Sequence, residues 1–265
     1  MNKKINAICI KWGDAYNAEY VNKLKRMIVR NTSYAVDFYC FTDNSDGFDE
    51  DIIVKEMPAL NTKKEYQTKY SYRKEAALCA DDLGGLTGER VFFFDLDVVI
   101  ISNLDELFDY PKENKFYIIN DWNTRGNTVG QASCYSWVVG TVGYVKTYFE
   151  KNPEEVTTKF FTASQEYLSD QIIQKEGQLN FWPDSWFCSF RYHCLPKFGP
   201  LRHFITPFIP KNRVGLKAIV FHGVPNPREA INGIWLDKSG KKPLKSWKRL
   251  YKACKPTPWV SEYWR

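Results

Sequence analysis

The chain has 265 residues, of which 26% are charged and 16% aromatic, and its formal net charge is +6. This length allows one large or two small domains, and the absence of both an apolar run near ~20 residues and a signal-peptide pattern predicts a chain that is neither secreted nor membrane-spanning. The seven cysteines are scattered and form no Cys-x-x-Cys motif, which argues against a zinc site and for a reducing cytosol.

The amino-terminal part of the chain shows a β-α-β pattern. Residues 5–10 form an apolar run typical of a central strand, residues 17–31 repeat apolar side chains at helical spacing, and residues 36–43 predict a second strand. This order predicts a parallel sheet with a right-handed crossover. The sequence contains no Gly-x-Gly-x-x-Gly and no Walker motif, so a dinucleotide-binding or P-loop enzyme is disfavoured.

The stretch 91–100 organises the rest of the chain. Its apolar and aromatic residues predict a strand buried on both faces, and it carries Asp95 and Asp97, whose burial without partners would be costly. We therefore expect the strand to end near Asp95, with both carboxylates at its carboxyl end, where open α/β sheets bind ligands. Two carboxylates on a rigid strand suit Mg²⁺ or Mn²⁺, which commonly bridge to phosphates. A solvated turn that happens to contain Asp-x-Asp is the alternative.

Further elements are predicted on both sides of this motif. A helix at 71–82 precedes it and carries Arg73 and Lys74. A loop at 123–131, rich in Gly, Asn and Thr, is predicted to be mobile. The other predicted elements are a strand at 52–55, a helix at 104–108, strands at 116–122 and 132–139, helices at 142–150, 153–161 and 165–176, an irregular run at 196–210 and a strand at 218–223.

The carboxyl-terminal segment is basic and aromatic. Because the sequence shows no internal repeat and no clear linker, we expect one catalytic domain at 1–237 and an extension at 238–265. The extension has three interpretations: a nucleic-acid-binding segment, a segment lying on an anionic membrane surface, or a solvated helix packed on the domain. Nucleic acid is the least favoured partner of the three.

Two families share an apolar strand that ends in Asp-x-Asp. In haloacid-dehalogenase-type phosphatases the first Asp is a nucleophile and the motif usually lies close to the amino terminus of the domain, whereas here it follows a complete β-α-β unit. The segment 98–108, after Asp97, instead closely resembles bacterial, metal-dependent glycosyltransferases of the A-type fold, the glycogenin-like and lipopolysaccharide-galactosyltransferase-like superfamily. The resemblance extends from Ile5 to about Pro227. It implies an α/β fold with a Rossmann-like, mixed and mostly parallel sheet flanked by helices.

The resemblance implies a metal site made of Asp95, Asp97 and His222. In these families a His-Gly segment near the end of the chain completes the metal site, and here His222 precedes a glycine. A single His at a strand end is more often structural, so both roles stay open. The family then has a Lys that touches the diphosphate; Asn226 stands at that position here, and Arg228 is the nearest cation.

The resemblance also implies how a nucleotide donor would be bound. Ile10, Lys11 and Trp12 occupy the family's first nucleotide-binding strand, and Asp43 ends the second. Lys74, or the arginine before it, stands where the family has a basic residue shortly before the metal strand. A solvated helix face would explain both cations equally well.

The family places an Asp-Gln pair on a later helix against the donor sugar, and two registers compete for it here. Asp170-Gln171 matches the letters, whereas Ser164-Gln165 better matches the spacing to the turn at 182–183. In the second register a serine replaces the acid, so the resemblance implies retention of the anomeric configuration while inversion stays open. Asp121 falls near the donor and acceptor positions.

These features predict a glycosyltransferase that depends on Mn²⁺ or Mg²⁺. The expected donor is a nucleotide-diphosphate sugar, with a UDP-sugar favoured. The expected acceptor is a saccharide or lipid-linked saccharide of cell-surface polysaccharide or lipopolysaccharide synthesis. The predicted location is the cytoplasm, with the extension lying peripherally on the inner face of the membrane. A phosphatase and a non-catalytic sugar-nucleotide-binding protein are the alternatives.

Overall fold

The computed structural model describes residues 3–68, 72–123, 128–160, 164–237, 242, 244 and 246–265. The chain divides into two compact units. Unit 1 comprises Met1–Val21, Tyr34–Leu96 and Asp105–Trp182, and unit 2 comprises Asn22–Ser33, Asp97–Leu104 and Pro183–Arg265. The predicted boundary at residue 237 stays a prediction.

The described residues form ten strands and nine α-helices. The strands are β1 (Lys4–Lys11), β2 (Ala35–Thr42), β3 (Ile53–Glu56), β4 (Arg90–Phe94), β5 (Val98–Ile100), β6 (Tyr117–Asn120), β7 (Gly130–Val138), β8 (Asn180–Phe181), β9 (Phe187–Ser189) and β10 (Ala218–Val220). The helices are α1 (Ala18–Arg30), α2 (Lys64–Thr68), α3 (Tyr72–Glu75), α4 (Asp105–Asp109), α5 (Gly143–Lys151), α6 (Pro153–Lys159), α7 (Ser164–Glu176), α8 (Pro227–Asn232) and α9 (Trp259–Tyr263).

Unit 1 is built on a seven-stranded sheet of order β3-β2-β1-β4-β7-β6-β8. The pairs β2–β3, β1–β2, β1–β4 and β6–β8 are parallel, and β7 runs antiparallel to both β4 and β6. The parallel β1-α1-β2 opening is as predicted. Aromatic side chains pack over the centre of the sheet, where the rings of Phe93 and Tyr135 lie 4.7 Å apart and those of Tyr135 and Trp137 lie 5.1 Å apart. The aromatic content of the sequence is therefore used largely in this core.

Unit 2 is built on a three-stranded sheet of order β5-β10-β9, in which β10 is antiparallel to β5 and parallel to β9. The end of the chain packs into the same unit, because Val260 and Trp264 are 0% and 2% exposed. Arg30 donates hydrogen bonds to the backbone oxygens of Tyr263 and Arg265. The Lys23 ammonium lies 3.7 Å from the centre of the Trp264 ring.

The Asp-x-Asp stretch is divided as expected, because β4 ends at Phe94 and both carboxylates follow it. The apolar residues after Asp97 form a separate strand, β5, in the other sheet. The predicted helix at 71–82 was too long. It ends at Glu75 and tightens into a 3₁₀ turn at Ala77–Cys79, after which Ala80 is extended, with ψ of 143°.

Some predictions fall partly outside the described residues. They concern the loop at 123–131, whose residues 124–127 are not described, the side chain of Arg73, and residues 238–241, 243 and 245 of the extension. All seven cysteines are free and buried. No described helix is both long enough and apolar enough to cross a membrane.

Candidate functional site

Three parallel strands of unit 1 end at one edge of the large sheet. β1 ends at Lys11, β2 ends just before Asp43, and β4 ends just before Asp95. Lys11 is 8% exposed, and its ammonium donates to the Asn44 carbonyl at 3.3 Å. The backbone N–H of Gly13 donates to Asp43 Oδ2 at 3.2 Å. The predicted nucleotide-binding residues therefore lie at the carboxyl edge of the sheet, where ligands of α/β proteins bind.

Ile10 and Trp12 flank Lys11 at the same edge. Ile10 is 4% exposed and belongs to the hydrophobic core of unit 1. Trp12 is half-buried and packs against that core from its margin. Of these two residues, Trp12 therefore has the accessible side chain.

A buried cluster of charged and polar side chains lies at the end of β4. We call it the Lys74 cluster; it consists of Lys74, Glu75, Asp95 and Ser164. Lys74 Nζ lies 3.0 Å from Asp95 Oδ1 and 3.1 Å from Glu75 Oε1, and Ser164 Oγ donates to Glu75 Oε2 at 2.6 Å. The side chains of Lys74, Asp95 and Glu75 are 11%, 24% and 3% exposed, so only Asp95 retains substantial contact with solvent.

The Lys74 cluster is tied to β7 by an irregularity in the sheet. Ile118 pairs with Tyr135 but Ile119 pairs with Gln131, so the intervening residues of β7 bulge away from β6. Ala132 lies in this bulge. Its carbonyl accepts from Lys74 Nζ at 3.1 Å, and its N–H donates to Gln165 Oε1 at 3.3 Å. Two long side chains thus replace the ladder bonds that Ala132 lacks towards β6.

The charges of the cluster stabilise one another. Burial alone would lower the pKa of Lys74, but the carboxylates of Asp95 and Glu75 outweigh burial and raise that pKa above its ordinary value. Burial raises the pKa of Glu75, and the Lys74 ammonium and the Ser164 hydroxyl oppose this rise. The ammonium is therefore the group that allows two carboxylates to lie at the end of β4.

The two competing registers on α7 have different surroundings. Ser164 belongs to the Lys74 cluster, and Gln165 accepts a hydrogen bond from Ala132 in the β7 bulge. Asp170 instead lies 3.4 Å from Lys159 Nζ, and Gln171 Nε2 donates to Asp170 Oδ2 at 3.3 Å. The structure thus places Ser164 against Glu75 and Gln165 against the β7 bulge, and it shows no contact of Asp170-Gln171 with the cluster among the described residues.

Asp121 follows β6 and is 8% exposed. Its Oδ2 accepts from the backbone N–H of Asn123 at 3.0 Å, which closes a turn directly before the residues that are not described. Asp121 therefore has a local structural role in the described part of this loop, and its catalytic role stays a prediction.

In unit 2, the pairing of β5 with β10 brings the second carboxylate of the motif next to the predicted histidine. Val98 pairs with Val220, and the Phe221 N–H donates to the Asp97 carbonyl at 3.1 Å. Asp97 is thus opposite the residue that directly precedes His222. Asp97 is 7% exposed, and His222 is partly exposed.

His222 is held by a hydroxyl from the neighbouring strand. Its Nε2 lies 2.7 Å from Ser189 Oγ at the end of β9. Gly223 then turns the chain with φ of +80°, a conformation that favours glycine. The ring is therefore oriented by a fixed partner, as is usual for a histidine that binds a metal through its other nitrogen.

A second histidine fixes this partner in turn. The Ser189 N–H donates to His193 Nδ1 at 3.0 Å, so that ring nitrogen must be unprotonated. Burial, together with the nearby cations Arg213 and Lys197, lowers the pKa of His193 from 6.5 to about 4. His193 is thus a neutral acceptor at physiological pH.

This pKa predicts a loss of stability in acid. The native state holds His193 neutral more strongly than the unfolded state does, so its contribution is complete above pH 6.5 and is lost as the pH falls through about 4. We expect the melting temperature of the wild type to fall more steeply between about pH 7 and about pH 4.5 than that of His193→Asn, whose amide oxygen accepts without titrating. The exposed His203→Asn is the control, and equal slopes for wild type and His193→Asn would contradict the prediction.

The residues after His222 form a helix start. Asn226 Oδ1 accepts from the Glu229 N–H at 3.1 Å and Glu229 Oε2 accepts from the Asn226 N–H at 3.0 Å, which is a capping box for α8. Arg228 lies in the first turn of α8 and is exposed. The structure therefore gives Asn226 a helix-capping role, and leaves phosphate binding by Asn226 and Arg228 as a prediction.

The predicted metal ligands are two carboxylates and one imidazole, Asp95, Asp97 and His222. Among the described residues, no group of three or more His, Cys, Asp or Glu side chains is arranged to hold a metal ion. The donor types nevertheless fit, because carboxylate and imidazole ligands suit Mn²⁺ and His222 has the hydroxyl partner expected of an oriented ligand. Asp95 lies two residues from Asp97 in the chain.

Sequence reasoning missed Glu75, Ser164 as a partner of a buried carboxylate, and Ser189. A signal existed only for Glu75, which is followed by the apolar run 76–79 and was therefore a candidate for a buried charge that needs partners. Ser164 and Ser189 lie far in sequence from the residues they contact, and no local pattern distinguishes them from surface serines.

No protein-family model matches the sequence, and no curated protein matches it. Solved structures do match. The galactosyltransferase LgtC, in complex with donor and acceptor sugar analogues, has a TM-score of 0.56 and 11% identity over 84% of this chain and 89% of its own. The glycosyltransferase GlyE from Streptococcus pneumoniae TIGR4 has a TM-score of 0.52 and 15% identity over 85% of this chain and 56% of its own.

The bifunctional glycosyltransferase WbbM has a TM-score of 0.50 and 13% identity, over 86% of this chain and 47% of its own. These structures match most of this chain, and the phosphatase alternative is not favoured by them. At such low identity the likeness is one of fold. The chain therefore has the A-type glycosyltransferase fold, with a mixed, mostly parallel sheet flanked by helices.

Proposed function

We propose that this protein is a metal-dependent glycosyltransferase that uses a nucleotide-diphosphate sugar. The observation that carries the proposal is the pairing of β5 with β10, which places Asp97 opposite the residue before His222 within a chain of A-type glycosyltransferase fold. A carboxylate and an oriented imidazole on neighbouring strands form the start of a Mn²⁺ or Mg²⁺ site.

Asp97 and His222 would hold the metal, and Asp95 would bind the metal or the ribose of the donor. A bound divalent cation would neutralise the charge that develops on the departing nucleotide diphosphate. Ser189 Oγ lies 2.7 Å from His222 Nε2, and we assign it the role of accepting the Nε2 proton, so that the other ring nitrogen would coordinate the metal.

The carboxyl edge of β1 and β2 is the proposed nucleotide-binding surface. Trp12 offers a partly exposed ring for stacking on a base. Lys11 is the last residue of β1 and Asp43 follows β2, so both lie at the same edge of the sheet as Trp12. UDP-sugars are the donors that we favour.

Lys74 and Gln165 are the proposed sugar-side residues. They share the β7 bulge, and LgtC has been solved as an active-site mutant in which a glutamine is replaced by glutamate. We therefore prefer Gln165 to Gln171 as the functional glutamine.

The histidine provides the direct test. His222→Ala is expected to weaken Mn²⁺ binding by about 10- to 100-fold or more, because disturbing the shell around a bound metal typically costs this much affinity. The measurement is a Mn²⁺ titration of donor hydrolysis without acceptor, at a temperature where wild type and variant are both folded. A non-catalytic sugar-nucleotide-binding protein would bind the donor and hydrolyse none.

His203→Ala is the matched control, since His203 is exposed and contacts the Arg249 carbonyl in the same unit. A purely structural His222 would show a lower melting temperature with an unchanged Mn²⁺ midpoint. That result would remove the histidine from the metal site.

We further propose a saccharide or lipid-linked acceptor of cell-surface polysaccharide or lipopolysaccharide synthesis, and peripheral association with the inner, anionic face of a membrane. Support comes from exposed aromatic and apolar side chains between the cations of the extension: Trp247 and Leu250 are 58% and 68% exposed. Each nearby Lys or Arg contributes about 1 kcal/mol at an anionic surface.

Truncation is a poor test, because Val260 and Trp264 are buried. The double variant Trp247→Ser/Leu250→Ser is instead expected to sediment several-fold less with anionic vesicles at low salt while hydrolysing donor normally. Val214→Ser, at a side chain that is 85% exposed, is the control. If the wild type does not sediment with anionic vesicles at low salt, the extension is only a structural part of unit 2.

A further inference from the structure

A large cavity lies within unit 2, beginning directly after the proposed metal-binding histidine. Its volume is about 640 Å³. It is lined by Arg191, Gly223, Val224, Trp235, Leu236, Asp237, Lys242, Leu244, Lys248 and Lys252. None of these residues was singled out as a donor-binding or metal-binding residue, so the cavity is not explained by the proposed donor site.

The lining is strongly cationic. It contains four basic side chains, Arg191 and three lysines, and only one carboxylate, that of Asp237. A Cβ atom placed on Gly223 would lie 3.7 Å from Arg191 Nη1, so the guanidinium reaches the turn that follows His222. A lining that contains guanidinium and ammonium groups is the usual means of binding phosphate.

The cavity also has an aromatic wall. The Arg191 guanidinium carbon lies 6.0 Å from the centre of the Trp235 ring. A cation beside an indole face suits a ligand that combines an anionic group with a ring or an apolar chain. Free inorganic ions would use only the charges.

The same wall continues into a second cavity. This cavity, of about 310 Å³, shares Trp235, Leu236, Leu244 and Lys252 with the first and reaches His203 and Arg249. Next to Arg249 in the chain lies Leu250, which is 68% exposed. The two cavities thus lead from the turn after His222 to an exposed apolar part of the same unit.

We propose that this cavity binds the phosphate group of the acceptor, so that the acceptor is a saccharide carrying a phosphate or diphosphate. The proposal rests on the proposed glycosyltransferase function. Two sources share this chemistry, a phosphorylated saccharide and a saccharide linked through diphosphate to an apolar carrier. The diphosphate of the donor is assigned instead to the metal at Asp97 and His222 and to Asn226 and Arg228, and none of these residues lines this cavity.

The first experiment measures the cavity without any glycosyl transfer. Inorganic pyrophosphate is titrated calorimetrically into the full chain in the presence of a metal chelator. Arg191→Gln and Lys248→Gln are each expected to weaken binding by about 10-fold, the effect of losing one charge-assisted hydrogen bond. Lys211→Gln, which removes the same charge from an exposed residue of the unit outside the lining, is the control.

The second experiment separates the two sources. Acceptor KM is compared for N-acetylglucosamine, its 1-phosphate, and the sugar linked by diphosphate to a farnesyl chain. We expect both phosphorylated acceptors to have a lower KM than the free sugar. In Arg191→Gln the KM of the phosphorylated acceptors should rise by about 10-fold, more than any change in the rate of donor hydrolysis. A further advantage of the farnesyl compound would assign the carrier-linked source, and equal KM values for the two phosphates would assign the soluble one.

Several results would overturn the proposal. One is equal pyrophosphate binding by the cavity variants and Lys211→Gln. Another is that a nucleoside diphosphate displaces pyrophosphate and that its affinity falls as much as that of pyrophosphate in Arg191→Gln and Lys248→Gln. That result would assign the cavity to the donor. Loss of vesicle binding with unchanged pyrophosphate affinity would assign the cations to a membrane surface. If the wild type hydrolyses no donor, the glycosyltransferase proposal fails while the pyrophosphate titration still tests the cavity.

Discussion

Replacing Asp97 with alanine is expected to reduce Mn²⁺-dependent donor hydrolysis by about 100-fold or more, the range found when one electrostatic contact to a developing charge is removed. The carboxylate would be a metal ligand, and its loss leaves His222 as the remaining ligand contributed by unit 2. The fold should survive, because the backbone carbonyl of Asp97 accepts from the Phe221 N–H and alanine keeps that bond. The measurement is the rate of donor hydrolysis against Mn²⁺ concentration, together with a thermal melt.

Two further variants make the result specific. Asp97→Asn keeps the shape of this side chain, which is 7% exposed, and should lose activity to a similar degree because the charge is missing. Asp46→Asn removes an exposed carboxylate from the turn that follows β2, and this variant should hydrolyse the donor normally. Normal Mn²⁺-dependent turnover by Asp97→Ala would exclude Asp97 as a metal ligand. If the loss of donor hydrolysis disappears at saturating Mn²⁺, the carboxylate contributes only to the affinity for the metal.

The fold was predictable where local pattern determines structure. The apolar run at 5–10, the amphipathic helix and the second strand follow from periodicity alone, and the parallel crossover follows from their order. The end of β4 before Asp95 was predictable too, because an unpaired carboxylate is costly inside a sheet. The same physical argument brings Lys11, Asp43 and Asp95 to one edge.

The partners of the site residues were not predictable in the same way. Ser164 contacts Glu75 across 89 residues of sequence, and Ser189 contacts His222 across 33. These contacts depend on how the strands pair and on the bulge in β7, which a single sequence does not reveal. The choice between Ser164-Gln165 and Asp170-Gln171 was open for this reason. The residue types match the family's Asp-Gln pair at Asp170-Gln171, whereas the contacts in the structure favour Ser164-Gln165.

The extension shows a different limit. Its composition indicates a basic, aromatic surface segment, and Trp247 is indeed 58% exposed. Composition cannot say which aromatic residues face solvent, and Trp264 is 2% exposed in the same segment. Which side chains form the surface of the extension therefore depends on the fold. The cationic cavity likewise depends on the positions of individual side chains, which composition does not determine.

The second large effect is expected at the Lys74 cluster. Lys74→Met should lower the free energy of unfolding by about 3–5 kcal/mol, the cost of removing one partner from a buried ion pair. The methionine fills a similar volume, but it leaves the carboxylates of Glu75 and Asp95 together without a cation, and the Ala132 carbonyl loses its donor. Urea unfolding at neutral pH measures the change. Lys159→Met is the matched control, because Lys159 is 55% exposed and its pairing with Asp170 should be worth about 0–1 kcal/mol.

The charge explanation makes two additional demands on the Lys74→Met variant. Its deficit should shrink as the pH falls, because burial raises the native pKa of Glu75 above its unfolded value, and an acid with a raised native pKa stabilises the fold at low pH and loses that contribution as the pH rises. The double variant Lys74→Met/Glu75→Gln should also recover part of the loss, since the buried carboxylate is then absent while the introduced amide oxygen can still accept from the Ser164 hydroxyl. A deficit that is independent of pH and unrelieved by Glu75→Gln would mean that Lys74 acts through packing alone, and the cluster would then no longer explain how Asp95 is held at the end of β4.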